Sequence, residues 1–293
     1  MSDVTERTSE PPRLRVRPRS RELFGYREIL WNLVRKELKV KYTASVLGAV
    51  WSLLNPVVFL AVFTFVTKVL KGGIEDYPAF LLSGLLAWNL FSVSLGNGAQ
   101  SVIANANLVK KVSFPREILP LATVGVCLID FVLQSAVLIV FFVLTGYGFQ
   151  LDVLWLYPFA FLALLLITIA ITMFVSALNV RYRDVQHLIG LALLVWFWMT
   201  PIVYGAGTVY TSMIESRFGI TAWRVYLLNP VTWVVMGFQR ALYHSSDAWK
   251  YLAPYSAGTL AAGLSIVCGL AALAVYFSWR LYFSMSGDFA EEL

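Results

Sequence analysis

Asp130 is the one ionisable side chain deep inside an apolar run, where an unpaired carboxylate costs several kcal/mol. A structural hydrogen bond to a polar residue of another helix, such as Asn55 or Asn89, explains it better than a proton relay, which needs further acids or histidines. His187 and His244 lie beyond separate apolar runs with no Cys or carboxylate at ligand spacing, so they read as interfacial histidines rather than metal ligands. Cys127 and Cys268 sit inside different apolar runs and read as small buried residues, not as a disulfide or metal framework. No G-x-x-x-x-G-K-[ST] and no G-x-S-x-G is present, so neither a triphosphate cradle nor a nucleophile elbow is expected. No catalytic residue, cofactor or metal is assigned to this chain.

Three other groups of residues carry possible function. The segment 105–120, NANLVKKVSFPREILP, opens with apolar helical spacing, carries Lys110 and Lys111, then sets Phe114 and Pro115 ahead of Arg116. A short helix of this kind, lying parallel to the membrane, can dock in a groove of a cytoplasmic partner; a basic topogenic loop accounts for the spacing equally well. Aromatic residues cluster at Trp196–Trp198, at Phe59, Phe63 and Phe65, and at Trp88 and Phe91. Such rings can stack on the apolar C–H faces of sugars, although lipid-facing packing explains most aromatics in a membrane protein. Arg35, Lys36 and Lys39 lie on the polar side of an amphipathic stretch, at the level expected for lipid headgroups.

The elements that hold these residues follow from composition. Of 293 residues, 59% are apolar and 14% charged, and mean hydropathy is +0.71, values that place most of the chain in a bilayer. The net charge of +6 is concentrated outside the apolar runs, so lipid headgroups and topology explain it and a nucleic-acid partner is not expected. Residues 1–20 have the composition of a disordered cytoplasmic tail and contain no secretory signal. Residues 21–43 form an amphipathic interface helix whose apolar stripe is interrupted by Arg27, Glu37 and Lys41, a pattern better suited to lipid plus a protein partner than to lipid alone. The apolar segments fall near 45–67, 79–98, 118–145, 155–179, 186–204 and 256–279, within a transmembrane domain over 44–285 and ahead of a cytoplasmic tail over 286–293. Residues 205–255 hold two shorter stretches, around Tyr210–Ile214 and Val231–Leu242, that read as re-entrant or interfacial helices. Seventeen of the 23 Lys and Arg fall on one side if both termini are cytoplasmic. Trp155, Tyr157, Tyr210, Trp223, Trp233, Tyr243 and Trp249 then lie near outer loop edges, as interfacial aromatics do.

Five motifs in order, KVKYTASVLGAVWSLLNPVV (39–58), NLVKKVSFPREILPL (107–121), LNVRYRDVQHL (178–188), MTPIVY (199–204) and LNPVTWVVMGFQRAL (228–242), resemble the permease subunits of type-2 ABC exporters of polysaccharides, O-antigens and teichoic acids. The resemblance covers about residues 22–285 and implies an all-α membrane protein with six transmembrane helices, an N-terminal interface helix and short gate helices between the fifth and sixth spans. It also implies a homodimer in a bacterial inner membrane, paired with two copies of a separate ATP-binding cassette subunit that holds ATP and Mg. The cargo would be a lipid-linked glycan, and the chain itself would not be an enzyme.

By the same resemblance, Lys110, Lys111, Phe114, Pro115 and Arg116, in a coupling helix about 105–117, would dock on the ATPase, with Arg181 and Asp184 of RYRD at a second corner. Trp51, Phe59, Trp88, Phe91, Trp196, Trp198 and Tyr204 are the candidate passage residues, and Arg35, Lys36 and Lys39 would admit the lipid headgroup. A drug or small-lipid exporter is the alternative within the superfamily. A membrane-embedded glycosyltransferase, drawing on Glu215, Arg217, Arg224, His244 and Asp247, is the alternative of another class.

Overall fold

The computed structural model describes residues 25–43, 54, 57, 58, 61, 62, 65, 74–112, 114–148, 151–217, 219–244 and 248–293. The first elements are α1 (Arg27–Thr43), α2 (Tyr77–Ala104), α3 (Ala106–Lys111) and α4 (Ile118–Thr145). The chain continues through α5 (Leu151–Leu154), α6 (Leu156–Arg181) and α7 (Val185–Trp198). A cluster of short helices follows, α8 (Ala206–Ile214), α9 (Gly219–Tyr226), α10 (Pro230–Leu242) and α11 (Ala248–Tyr251), before α12 (Ala257–Ser286) and α13 (Phe289–Glu292). No strand occurs among the described residues.

Among the described residues, four segments are long and apolar enough to cross a membrane: α2, α4, α5 with α6, and α12. Their ends are chemically marked. Pro78 opens α2, Gly146 closes α4 with φ 68°, and the Ser256 hydroxyl accepts the Thr259 N–H at 3.2 Å to cap α12. The span expected at 45–67 lies largely outside the described residues, as do Trp51, Phe59 and Asn55. Leu54, Val57, Val58, Val62 and Phe65 are helical, spaced by three or four, and exposed, which is the pattern of an apolar helix face.

The fifth expected span differs. Its helix stops at Trp198 rather than running to 204, and 14 residues rise only about 21 Å, short of a hydrocarbon core of roughly 30 Å. Residues 286–293 are likewise folded rather than trailing, because α13 seats the fully buried Phe289 against Tyr282. Among the outer aromatics, Trp223 and Tyr243 are buried in the protein and not at a lipid interface.

α6 is the axis of the bundle, with α12 and α2 on its flanks and α10 and α4 behind them. Small residues permit these contacts: Gly98 of α2 meets Thr172 of α6, and Gly237 of α10 meets Ala160 of α6. Two apolar cores result. The larger lies around Phe80, Phe91, Leu164 and Phe238; the smaller joins Val34, Val102, Ile118, Met173, Tyr282 and Phe289.

Candidate functional site

Helices α3 and α6 both pack against α13, which brings the two sequence-predicted corners to one surface. Lys110, Lys111, Arg181 and Asp184 are exposed there. The corner at 181–184 is held by the buried Asn179, whose amide donates to the Ala99 carbonyl at 2.8 Å and whose oxygen accepts the Gln186 N–H at 3.0 Å. One asparagine thus ties α6 to α2 and to the start of α7.

Phe114 and Arg116 are turned inward. Phe114 packs against the smaller core and Pro115 is buried. The Arg116 guanidinium donates to the carbonyls of Ser286 and Gly287, and the Tyr282 hydroxyl donates to the Arg116 carbonyl at 2.9 Å. The coupling segment is therefore pinned at Arg116 to the last turn of α12. Helix C-terminal carbonyls lack intrahelical partners and carry partial negative charge, which is why a guanidinium settles there.

Asp130 does not pair with Asn89, and Asn55 lies outside the described residues. Lys41 Nζ lies 2.5 Å from one carboxylate oxygen and the Tyr42 hydroxyl donates to the other at 2.5 Å, while Asn89 donates to Gln134 at 3.0 Å. Burial works against the Lys41 ammonium, but the hydrogen bond and charge of Asp130 outweigh it and hold its pKa above the ordinary lysine value. Lys41 breaks the apolar stripe of α1 because it reaches into α4. Arg35, Lys36 and Lys39 are exposed; Arg35 lies over the Trp31 ring at 5.1 Å, and Lys36 donates to Asn105 at 3.0 Å.

Residues 199–204 leave helical geometry, and their backbone groups need partners in the absence of water. Side chains supply them. Gln239 donates to the Pro201 carbonyl at 2.8 Å and Tyr77 to the Val203 carbonyl at 3.1 Å. Asn229 caps α10 by accepting the Val231 N–H at 3.1 Å, accepts Trp196 Nε1–H at 2.8 Å, and donates to Thr200 Oγ1 at 3.1 Å. The motifs MTPIVY and LNPVTW thus form one joint between α7 and α10.

The candidate passage residues divide. Trp88 and Phe91 are buried, Trp88 edge-on to Phe197 at 5.5 Å and Phe91 edge-on to Trp196 at 5.0 Å, so they fix α2 against α7. Trp198 is exposed and Tyr204 half-buried, with its hydroxyl donating to the Trp198 carbonyl at 2.6 Å. Helix α9 was not expected, although the spacing of Ile220, Trp223 and Tyr226 would support it; Trp223 donates to the Tyr255 hydroxyl at 2.7 Å and stacks on Tyr226 at 5.4 Å. No group of three metal-ligating side chains occurs among the described residues, and both cysteines are free thiols.

Residues 28–243 match the profile of the ABC-2 type transporter family. An O-antigen export system permease protein RfbA of Myxococcus xanthus is 33% identical over 269 residues, covering 91% of this chain and 98% of that protein. A permease of the same name from Klebsiella pneumoniae is 30% identical over 226 residues, 77% of this chain and 84% of its own. With the profile spanning most of its length and the Myxococcus relative matching nearly end to end, the chain is a multi-pass membrane permease belonging to the ABC-2 type transporter family.

Proposed function

We propose that this chain is the transmembrane subunit of an exporter that carries a lipid-linked glycan, of O-antigen, cell-wall galactan or teichoic-acid type, from the cytoplasmic to the outer side of a bacterial inner membrane. The similarity to O-antigen export permeases over nearly the whole chain is the observation that carries the reading. The chain works as a homodimer, with both termini cytoplasmic, and with two copies of an ATP-binding subunit that holds ATP and Mg. Lys110, Lys111, Arg181 and Asp184 are exposed together beside α13 and supply the surface on which that subunit docks. The exposed apolar row Leu188, Leu191, Leu194 and Val195 on α7 supports packing against a second copy or lipid beside the passage.

ATP closure of the partner would push this cytoplasmic surface. The movement would reach the outer joint at 199–204 and 229–239 through α6 and α12, which pack on both ends of the bundle. Arg35, Lys36 and Lys39 would meet the anionic headgroup of the cargo lipid.

The test is affinity purification from solubilised membranes, with mass spectrometry of proteins and of bound lipids. A Walker-motif ATPase at equal stoichiometry and a polyprenyl-linked glycan are expected. A chain recovered alone, without a nucleotide-binding subunit, would overturn the reading.

A further inference from the structure

Helix α2 carries two exposed amides, Asn97 and Gln100, within its membrane-spanning length. They are three residues apart and share one face, and Asn97 lies about 10 Å along the helix from its end at Ala104. Neither amide is hydrogen-bonded within the described chain. An amide facing hydrocarbon is costly, so a polar occupant is needed.

Both amides open into a cavity of about 360 Å³ between α1, α2 and α4. Thr123 and Glu37 add polar atoms to its wall, and Leu33, Leu119 and Val126 provide an apolar floor. The volume falls in the range of small-molecule sites, about 300–1,000 Å³. Lys41 in the cavity wall is bonded to Asp130, and about two turns along α2 from Asn97 the polar track closes with Asn89 bonded to Gln134.

The charges select the ligand class. Lys41 is the cation in the cavity wall and is neutralised by Asp130, so among the described residues the wall offers no uncommitted cation to a phosphate. What remains is amide donors and acceptors beside apolar surface, which match hydroxyls that both donate and accept. We propose that this cavity binds the sugar headgroup of a glycolipid in the cytoplasmic leaflet. The assignment deepens the exporter reading and rests on it for the identity of the native glycolipid as cargo.

The test uses full-length protein with Cys127→Ala and Cys268→Ala, carrying Gln100→Cys or, in a second variant, Asn97→Cys, in phosphatidylcholine vesicles. A water-soluble maleimide reports access, with Asn107→Cys on exposed α3 as the control. Vesicles doped with galactosyl diacylglycerol should slow labelling at 100 or 97 by about threefold or more and leave 107 unchanged, as occupancy by a ligand requires. Equal protection by phosphatidylglycerol would make this an anionic-headgroup site, equal protection by dissolved lactose would remove the lipid attachment, and no protection at either position would remove the site; each overturns the proposal. Protection needs no transport, so a chain that binds galactosyl lipid yet moves no glycan would keep this site while losing the exporter reading.

Discussion

Arg116 and Tyr282 hold each other across 166 residues of sequence: the tyrosine hydroxyl donates to the arginine carbonyl, and the arginine guanidinium closes over the carbonyls that end the tyrosine's own helix. The coupling segment and α12 therefore move as one body at this point. Arg116→Ala should orphan the last carbonyls of α12 and free the segment, leaving the bundle folded but ATP-driven export reduced tenfold or more, an effect of about 1.4 kcal/mol. Arg116→Lys, which keeps the charge but not the forked donor, should recover part of it. Export by reconstituted complex, measured beside its ATPase rate, checks this. Full export by Arg116→Ala would show that the clamp transmits nothing.

The Lys41–Asp130 pair predicts an asymmetry. Asp130 is nearly buried and Lys41 is more than a third exposed, so an unpaired lysine can turn to water but an unpaired carboxylate cannot. Lys41→Met should cost about 2 kcal/mol and Asp130→Asn less, values between those of exposed and fully buried pairs. Because the Lys41 pKa is raised, its contribution is fully present below the ordinary 10.5 and is lost only as pH climbs through the higher folded value. Thermal unfolding in detergent should therefore show the pair's contribution unchanged from pH 7 to pH 9.

These two contacts also mark where sequence reading ran out. The long apolar runs were legible because hydrophobicity acts locally: the run at 118–145 is helix over the same residues. The partner of Asp130 was not, since Lys41 lies 89 residues away and presented itself only as a flaw in an amphipathic stripe. Composition predicts a longer fifth span than the structure has, because MTPIVY stays apolar after the helix ends at Trp198. Pro201 was the available stop signal, and the carbonyls it leaves are met by Gln239 and Tyr77 from distant helices. Phe114 and Arg116 were read as outward-facing because nothing local discloses that α12 ends beside them.

Asn229 gives a third prediction. It is at once the cap of α10 and the acceptor for Trp196, so Asn229→Ala loses a cap worth about 1 kcal/mol and orphans an indole N–H at a further 1–3 kcal/mol. Asn229→Asp keeps both acceptor roles and loses the amide donor to Thr200 and the long contact to the Met199 carbonyl, so it should cost the smaller amount. Trp196→Phe removes the indole donor, and in that background the penalty of Asn229→Ala should shrink toward the cap alone. Unfolding midpoints of the four proteins close the cycle; an additive outcome would mean that the Trp196–Asn229 bond contributes nothing.

Glycines on one helix provide the last prediction, with its own control. A Cβ at Gly98 would lie 2.1 Å from Thr172 Cγ2, whereas one at Gly96, two residues away, meets nothing within 4 Å. Thr172 is fully buried and branched at Cβ, so it can neither withdraw nor rotate freely. Gly98→Ala must then push α2 from α6, at about 1–3 kcal/mol, while Gly96→Ala should be neutral or gain up to about 1 kcal/mol from helix propensity. The contrast recurs on α12, where a Cβ at Gly263 would enter the Trp233 ring at 2.2 Å and one at Gly269 meets nothing. Trp233 is held by its bond to the Leu227 carbonyl at 3.0 Å and by stacking on Tyr255 at 5.8 Å, so the ring cannot swing aside without disturbing the outer helices. Gly263→Ala should thus lower export as well as stability, and Gly269→Ala neither. Equal unfolding midpoints for the two would mean that α12 and Trp233 are not in contact as described.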